Sequence, residues 1–183
     1  MPFEEAGSGE AYDFHAFTQR PMAMYHSWGS QNAWLRQIHG ENFLHINRTT
    51  AEKLGIADGD WVKVTSEHST ITVPAKLMDG VNPNTVWTWN AIGKRKGAWK
   101  LAANAPEATQ GFLLNHLISD ITPRGDYANA DPVTGQAAWF DLRVRIEKVS
   151  AQEASQPQFA VLAGAAADNA PLRYGAIFRK QGT

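Results

Sequence analysis

Apolar and polar positions alternate most cleanly over residues 140–147. There Phe140, Leu142, Val144 and Ile146 take one side and Asp141, Arg143, Arg145 and Glu147 the other, which predicts a half-buried strand within 139–149. The same period of two places Ile71, Val73, Ala75 and Leu77 on one face of a predicted strand 70–77 and Thr70, Thr72 and Lys76 on the other. A shorter strand, 61–66, is bounded by Asp58-Gly59-Asp60 and Glu67-His68-Ser69, and another, 86–90, carries Trp87 and Trp89 on one face. Ile71, Val73, Leu77, Leu142, Val144 and Ile146 are the expected inward set. Helix is scarce: Thr49 and Glu52 have capping-box spacing, 51–54 give one or two turns, and Gly55 stands where a left-handed C-cap residue belongs.

Around these elements, Thr18-Gln19-Arg20-Pro21 reads as the point where the chain enters a strand, and the Gly, Lys, Pro and Asn content of 91–110 predicts a long excursion. Residues 111–119 are apolar but short, a helical turn or a buried loop. Three segments are expected: a disordered, Glu/Gly/Ser-rich 1–13; a barrel domain over 14–150; and an Ala/Gln/Gly-rich C-terminal extension over 151–183 that shows no core-facing period. Short strands joined by loops indicate a mainly β, compact barrel with short helical insertions. Propensity alone leaves its topology open.

The 183 residues carry 17 Lys+Arg against 18 Asp+Glu, so the net charge of −1 provides no electrostatic footprint for nucleic acid or an anionic membrane. No apolar run approaches the roughly 18 residues needed to span a bilayer, and the acidic first residues do not read as a secretory signal. The chain is therefore expected to be soluble, without nucleic-acid partners or direct membrane insertion. Cys is absent, which removes thiolate nucleophiles, disulfides and iron–sulfur ligation by this chain. His15, His26, His39, His45, His68 and His116 show no metal-ligand spacing, so no metal ligands are assigned. Neither a phosphate loop nor a nucleophile elbow is present, and no catalytic residue is assigned; Gly93-Lys94-Arg95-Lys96-Gly97 reads as a basic, solvated loop.

Seven Trp are an unusual load, and two of them lie within the informative segment 25–34, Tyr-His-Ser-Trp-Gly-Ser-Gln-Asn-Ala-Trp. Amide, hydroxyl and imidazole groups between large rings suit a ligand with many fixed donors and acceptors. The same composition equally describes a capped loop with Trp28 and Trp34 as core.

In order along the chain, Thr18-Gln19-Arg20, the polar stretch 26–32, Asn42-Phe43-Leu44-His45-Ile46-Asn47, residues 50–64, 111–117 with Asn115, and Asp131-Pro132-Val133-Thr134-Gly135-Gln136 resemble the C-terminal molybdopterin-dinucleotide-binding domain of the dimethyl-sulfoxide-reductase family of molybdenum oxidoreductases. The resemblance covers roughly 18–149, and 26–38 with 87–99 are most like the sulfite-dehydrogenase and polysulfide/thiosulfate-reductase branch. It implies a double-psi β-barrel forming one wall of a site for bis-(molybdopterin guanine dinucleotide), with Arg20, His26, Ser27, Trp28, Gln31, Asn32, Asn115 and Gln136 as its contacts. It also implies that the molybdenum is held by a domain outside this chain, and that the isolated chain does no redox chemistry. The implied partners are an iron–sulfur subunit together with the remainder of the catalytic subunit; the implied substrate is an inorganic sulfur compound, and the implied place a membrane-associated complex, cytoplasmic or else periplasmic. One departure is Gln19, where the family's T-G-R has glycine. Other classes weighed are a stand-alone double-psi barrel that recognises a protein partner and, more remotely, a small hydrolase.

Overall fold

The computed structural model describes residues 12–26, 28–29, 32–93, 111–120, 128–137, 142–150 and 158–161. Its strands are β1 (Phe14–Gln19), β2 (Leu44–Asn47), β3 (Trp61–Thr65), β4 (Ser69–Met78), β5 (Thr85–Trp89), β6 (Arg143–Lys148) and β7 (Gln158–Val161). Among the described residues two short helices, α1 (Ala33–Ile38) and α2 (Arg48–Lys53), and a 3-10 turn, Leu114–Leu117, complete the elements. Neighbouring strands run β2-β5-β1-β6-β3-β4, and β4 pairs back to β2, which closes a six-stranded barrel; β7 adds to the outside edge of β4. Closure removes free edges among those six strands.

Two of the pairings are parallel, β1 with β5 and β2 with β4, and the rest are antiparallel. The partners in each parallel pair are far apart in sequence, and the two pairs interleave along the chain. This is the double-psi arrangement. Leu44, Ile46, Val62, Val64, Ile71, Val73, Val86 and Val144 point inward and are fully buried, with Ile146 nearly so and Leu77 and Leu142 packed at the margin. Each such side chain contributes about 1.5–3 kcal/mol by leaving water.

Local sequence chemistry accounts for the ends of α2, though the cap lies two residues earlier than the capping-box spacing predicts. Asn47, at the end of β2, accepts from Thr50 N, while its Nδ2 donates to Val81 O at 2.7 Å. An amide serves here because one group must accept from the helix and donate to a loop, which a threonine hydroxyl at 49 is not placed to do. At the other end Gly55 N bonds Glu52 O and Ile56 N bonds Ala51 O, with Gly55 at φ +67°, the paired closure that a left-handed residue allows.

Other differences from the sequence pattern are additions. Residues 18–21 end a strand instead of starting one, because β1 draws its partners from β5 and β6, both distant in sequence. The end of the segment read as a loop, 25–34, together with 35–38, to which no element was assigned, forms α1 with Asn32 as its cap. Within the segment expected to be an extension, 158–161 pairs antiparallel with 69–72 of β4. Among the described residues no helix is long and apolar enough to cross a membrane.

Placing a carboxylate at Val144, which is fully buried opposite Phe14 of β1, leaves it without a partner. Val144→Asp is expected to lower stability by at least about 3 kcal/mol and the melting temperature by about 10 °C. Thermal unfolding followed by circular dichroism checks this, and a shift of only a degree or two would show that the inward assignment is wrong.

Candidate functional site

Strand register sets the site before any side chain does. The carboxyl ends of β1 and β5, the amino ends of β2 and β6, and the β3–β4 hairpin all lie at one end of the barrel, as the pairs Gln19–Trp89, Leu44–Ala75, Thr65–Thr70 and Thr65–Arg145 require. The segments carrying Arg20, His26, Trp28 and Asn32, Asn115, and Gln136 all leave the barrel at that end. α2 sits at the other, where Arg48 meets Asp79 and Thr50 donates to Pro83 O.

Asn42 holds the loops of this end together. It is completely buried, and its Nδ2 group is shared among Trp89 O at 2.9 Å, Ile92 O at 3.0 Å and Phe112 O at 2.9 Å. Its Oδ1 accepts from Thr88 Oγ1 at 2.7 Å, Trp89 N at 3.1 Å and Phe43 N at 3.1 Å. The backbone of 92–93 and 111–112 then meets face to face. A Cβ on Gly93 would lie 2.4 Å from the Phe112 carbonyl carbon, and one on Gly111 would lie 2.6 Å from Gly93 Cα, so neither position admits a side chain.

From that seam the connections run on to the remaining loops. The 3-10 turn is bound to the β3–β4 hairpin, with Ser66 Oγ donating to Leu117 O at 2.7 Å and Ser69 Oγ to His116 O. Asn115 lies on this turn and is exposed. Asn129 ties the next loop to it, donating from Nδ2 to Ser119 O and from N to Asp120 O. Gln136 follows, exposed, its carbonyl accepting from Asp131 N at 2.7 Å. Asp131 commits its carboxylate to its own turn: Thr134 N and Val133 N donate to Oδ1, and these bonds hold the group below the usual carboxylate range.

At the same end, Arg20 stacks its guanidinium carbon 5.6 Å from the Tyr25 ring centroid, and Tyr25 meets the His26 ring edge-on. His26 Nδ1 lies 3.2 Å from Asn90 Nδ2, across from the end of β5. Asn32 Oδ1 is occupied as the α1 cap, accepting from Trp34 N and Leu35 N. Trp28 and Trp34 are 70% and 77% exposed, so neither fills the core. Ser27, Gln31 and the Lys94 to Lys96 stretch lie outside the described residues. The structure thus brings the loops of Arg20, His26, Trp28, Asn32, Asn115 and Gln136 to one barrel end, the first of them joined to the end of β5 by the His26–Asn90 contact and the seam of 92 and 112 held by Asn42.

Sequence reasoning did not single out Asn42, Asn90 or His45 as site residues. His45 lies on the outer face of β2, stacked on Trp87 with centroids 3.8 Å apart and planes 7° apart, and Trp87 in turn meets Trp89 edge-on. Both of its ring nitrogens are buried and, among the described residues, without a partner. Burial first, and Lys76 second, push its pKa down to about 4 against an opposing pull from Asp58. Alternation of β2 with Trp87 on β5 was the one available signal, and it needed the register.

Does this end fit a dinucleotide? Its groups are amides, an imidazole, an indole and a guanidinium, the chemistry that matches heterocycle edges and a pyrophosphate. Among the described residues no three His, Asp, Glu or Cys gather as a bare-metal site. Asn90 Oδ1 is buried and, among the described residues, unpaired, which costs about 1–3 kcal/mol. The residues fit.

Residues 14–130 match the family model described as "Molydopterin dinucleotide binding domain". The chain belongs to this family, the molybdopterin dinucleotide binding domains of the dimethyl-sulfoxide-reductase family of molybdoenzymes. It is similar to a sulfite dehydrogenase subunit of Allochromatium vinosum, 55% identical over 156 residues that make up 82% of this chain and 16% of that protein. It is also 38% identical over 118 residues to a tetrathionate reductase subunit of Archaeoglobus fulgidus, covering 62% of this chain and 10% of the other. Among solved structures, acetylene hydratase from Pelobacter acetylenicus superposes with a TM-score of 0.50 at 18% identity, over 75% of this chain and 18% of that one, a likeness of fold. The chain therefore spans only a small part of the length of its relatives, and a larger catalytic subunit is implied.

His45 gives this region a pH signature. Its folded pKa of about 4 lies below the ordinary value of 6.5, so between these values the unfolded chain binds a proton that the fold refuses. Stability is expected to fall as pH drops from 6.5 towards 4, and His45→Phe, which keeps the stack on Trp87, to lose part of that slope. Denaturant unfolding of both proteins at a series of pH values measures it; equal slopes would show that His45 does not titrate this way.

Proposed function

We propose that this chain forms one wall of the site for a bis-(molybdopterin guanine dinucleotide) cofactor in a catalytic subunit that acts on an inorganic sulfur compound. The observation that carries the reading is the gathering at one barrel end of the segments that carry Arg20 and His26, of 90–93, of 111–120 and of 128–137, tied together through Asn42, Asn129 and the His26–Asn90 contact. When bound, the cofactor supplies two-electron chemistry at its metal; the residues of this chain bind and orient it. In this reading Arg20 meets a pyrophosphate oxygen and His26, Asn115 and Gln136 meet the edges of the heterocycles; Ser27 and Gln31, outside the described residues, are included from the sequence alone. Trp28 offers a ring face. Asn32 shapes this wall through its helix cap, which leaves its Nδ2 for the ligand.

The sulfur substrate rests on the 55% likeness to a sulfite dehydrogenase subunit, with tetrathionate reductase among the other relatives. An iron–sulfur subunit and a membrane-associated complex, cytoplasmic or else periplasmic, complete the proposal on the family resemblance of the motifs alone. Exposed Met22, Tyr25, Trp28, Trp34 and Ile38 lie within 17 positions of one another, and α1 buries no residue, a face suited to cover by the rest of the catalytic subunit. A stand-alone recognition module would use the same face. The length of the relatives favours the first reading.

Titration of the chain with guanosine diphosphate, followed by amide NMR, tests the site. Shifts are expected in the loops of His26, Asn115 and Gln136, with an affinity of only about millimolar because one wall supplies part of the burial. Shifts confined to the Lys94 to Lys96 stretch would instead show generic phosphate attraction and count against the site.

A further inference from the structure

Among the described residues two non-glycine positions hold a positive φ, His26 at +48° and Ala91 at +64°, and a single side-chain contact joins their neighbourhoods. Left-handed backbone costs an ordinary residue roughly 1–2 kcal/mol, and such strain collects where a side chain must be aimed. Between them stands Asn90. Its backbone N–H continues the β1–β5 ladder by donating to Gln19 O at 2.8 Å, so its Cα is pinned to the strand ends. Ala91 then turns the chain away towards Ile92, whose carbonyl is held by Asn42 and Phe112. The Asn90 amide is left reaching across to the loop after β1, 64 positions earlier, with Nδ2 at 3.2 Å from His26 Nδ1.

We propose that Asn90 is a positioning residue that sets the tautomer of His26, and this rests on the reading that His26 faces the cofactor. An amide N–H pointing at Nδ1 requires a lone pair there, so the ring proton of neutral His26 resides on Nε2. Nε2–H is then a fixed donor for an acceptor of the dinucleotide, a phosphate oxygen or a ring carbonyl. The strained turns at 26 and 91 are what bring these two side chains together from two separate strand ends. Asp would reverse the polarity, since a carboxylate accepts only, and Leu would abolish it at similar volume.

The test uses the 183-residue chain labelled with 15N-histidine at pH 8, where an ordinary imidazole is neutral. The wild-type His26 is expected to show the Nε2–H pattern alone, Asn90→Leu a mixture, and Asn90→Asp the Nδ1–H form, with melting temperatures recorded to show that each variant folds. In parallel, retention of guanine nucleotide and molybdenum after dilution is measured for the full catalytic subunit. Asn90→Asp is expected to release them roughly tenfold faster, the effect of one hydrogen bond to a charged or polar ligand group. A wild-type Nδ1–H pattern, or a tautomer indifferent to Asn90→Asp, overturns the positioning role whatever the cofactor does. A tautomer that switches while retention stays unchanged overturns instead the placing of His26 against the cofactor.

Discussion

A single buried amide organises this molecule. Asn42 precedes β2 and sits where the barrel hands over to its loops, and its two ends are matched to groups from β5, from the turn at 92 and from Phe112. No apolar residue could stand in, because each of those backbone groups would then be buried without a partner. Nor would Asp serve, since three of the contacts need a donor. The barrel provides a rigid rim, and Asn42 converts it into fixed positions for segments that have no regular structure of their own.

The consequence is a division of labour between the two barrel ends. At one, Asn47 and the α2 cap close the fold with local bonds and surface ion pairs such as Arg48 with Asp79, which contribute little individually. At the other, strain at His26 and Ala91, an unpaired acceptor on Asn90 and exposed rings at Trp28 and Trp34 leave interactions unmade in the chain alone. Such features are unfavourable in an isolated domain and sensible in one that is completed by a ligand and by the rest of a larger subunit.

Where partners are local, the sequence could be read directly. β3, β4, β5 and β6 announce themselves by alternation, and Gly55 marks the end of α2, because inward valines and a left-handed turn leave a signature within a few residues. β1 and β2 did not: β2 has only four residues, in β1 the small inward Ala16 is followed by a half-buried Phe17 on the other side, which blurs the alternation, and α1 has no buried stripe to give it a period. The site follows the same rule. The loop at 25–34 stood out by composition, and the ordered motifs pointed to a dinucleotide. Asn90 and His45 carry no local mark, since Asn90 matters through His26, 64 positions away, and His45 through the ring of Trp87.

The dependence of the site on Asn42 can be measured directly by amide hydrogen exchange in Asn42→Leu. If the amide is the link between barrel and loops, Trp89, Asn90 and Phe112 will lose protection while Val62, Val64 and Val73, in the far pairings of β3 and β4, keep theirs. Equal loss of protection throughout, or none at Phe112, would contradict this role for Asn42.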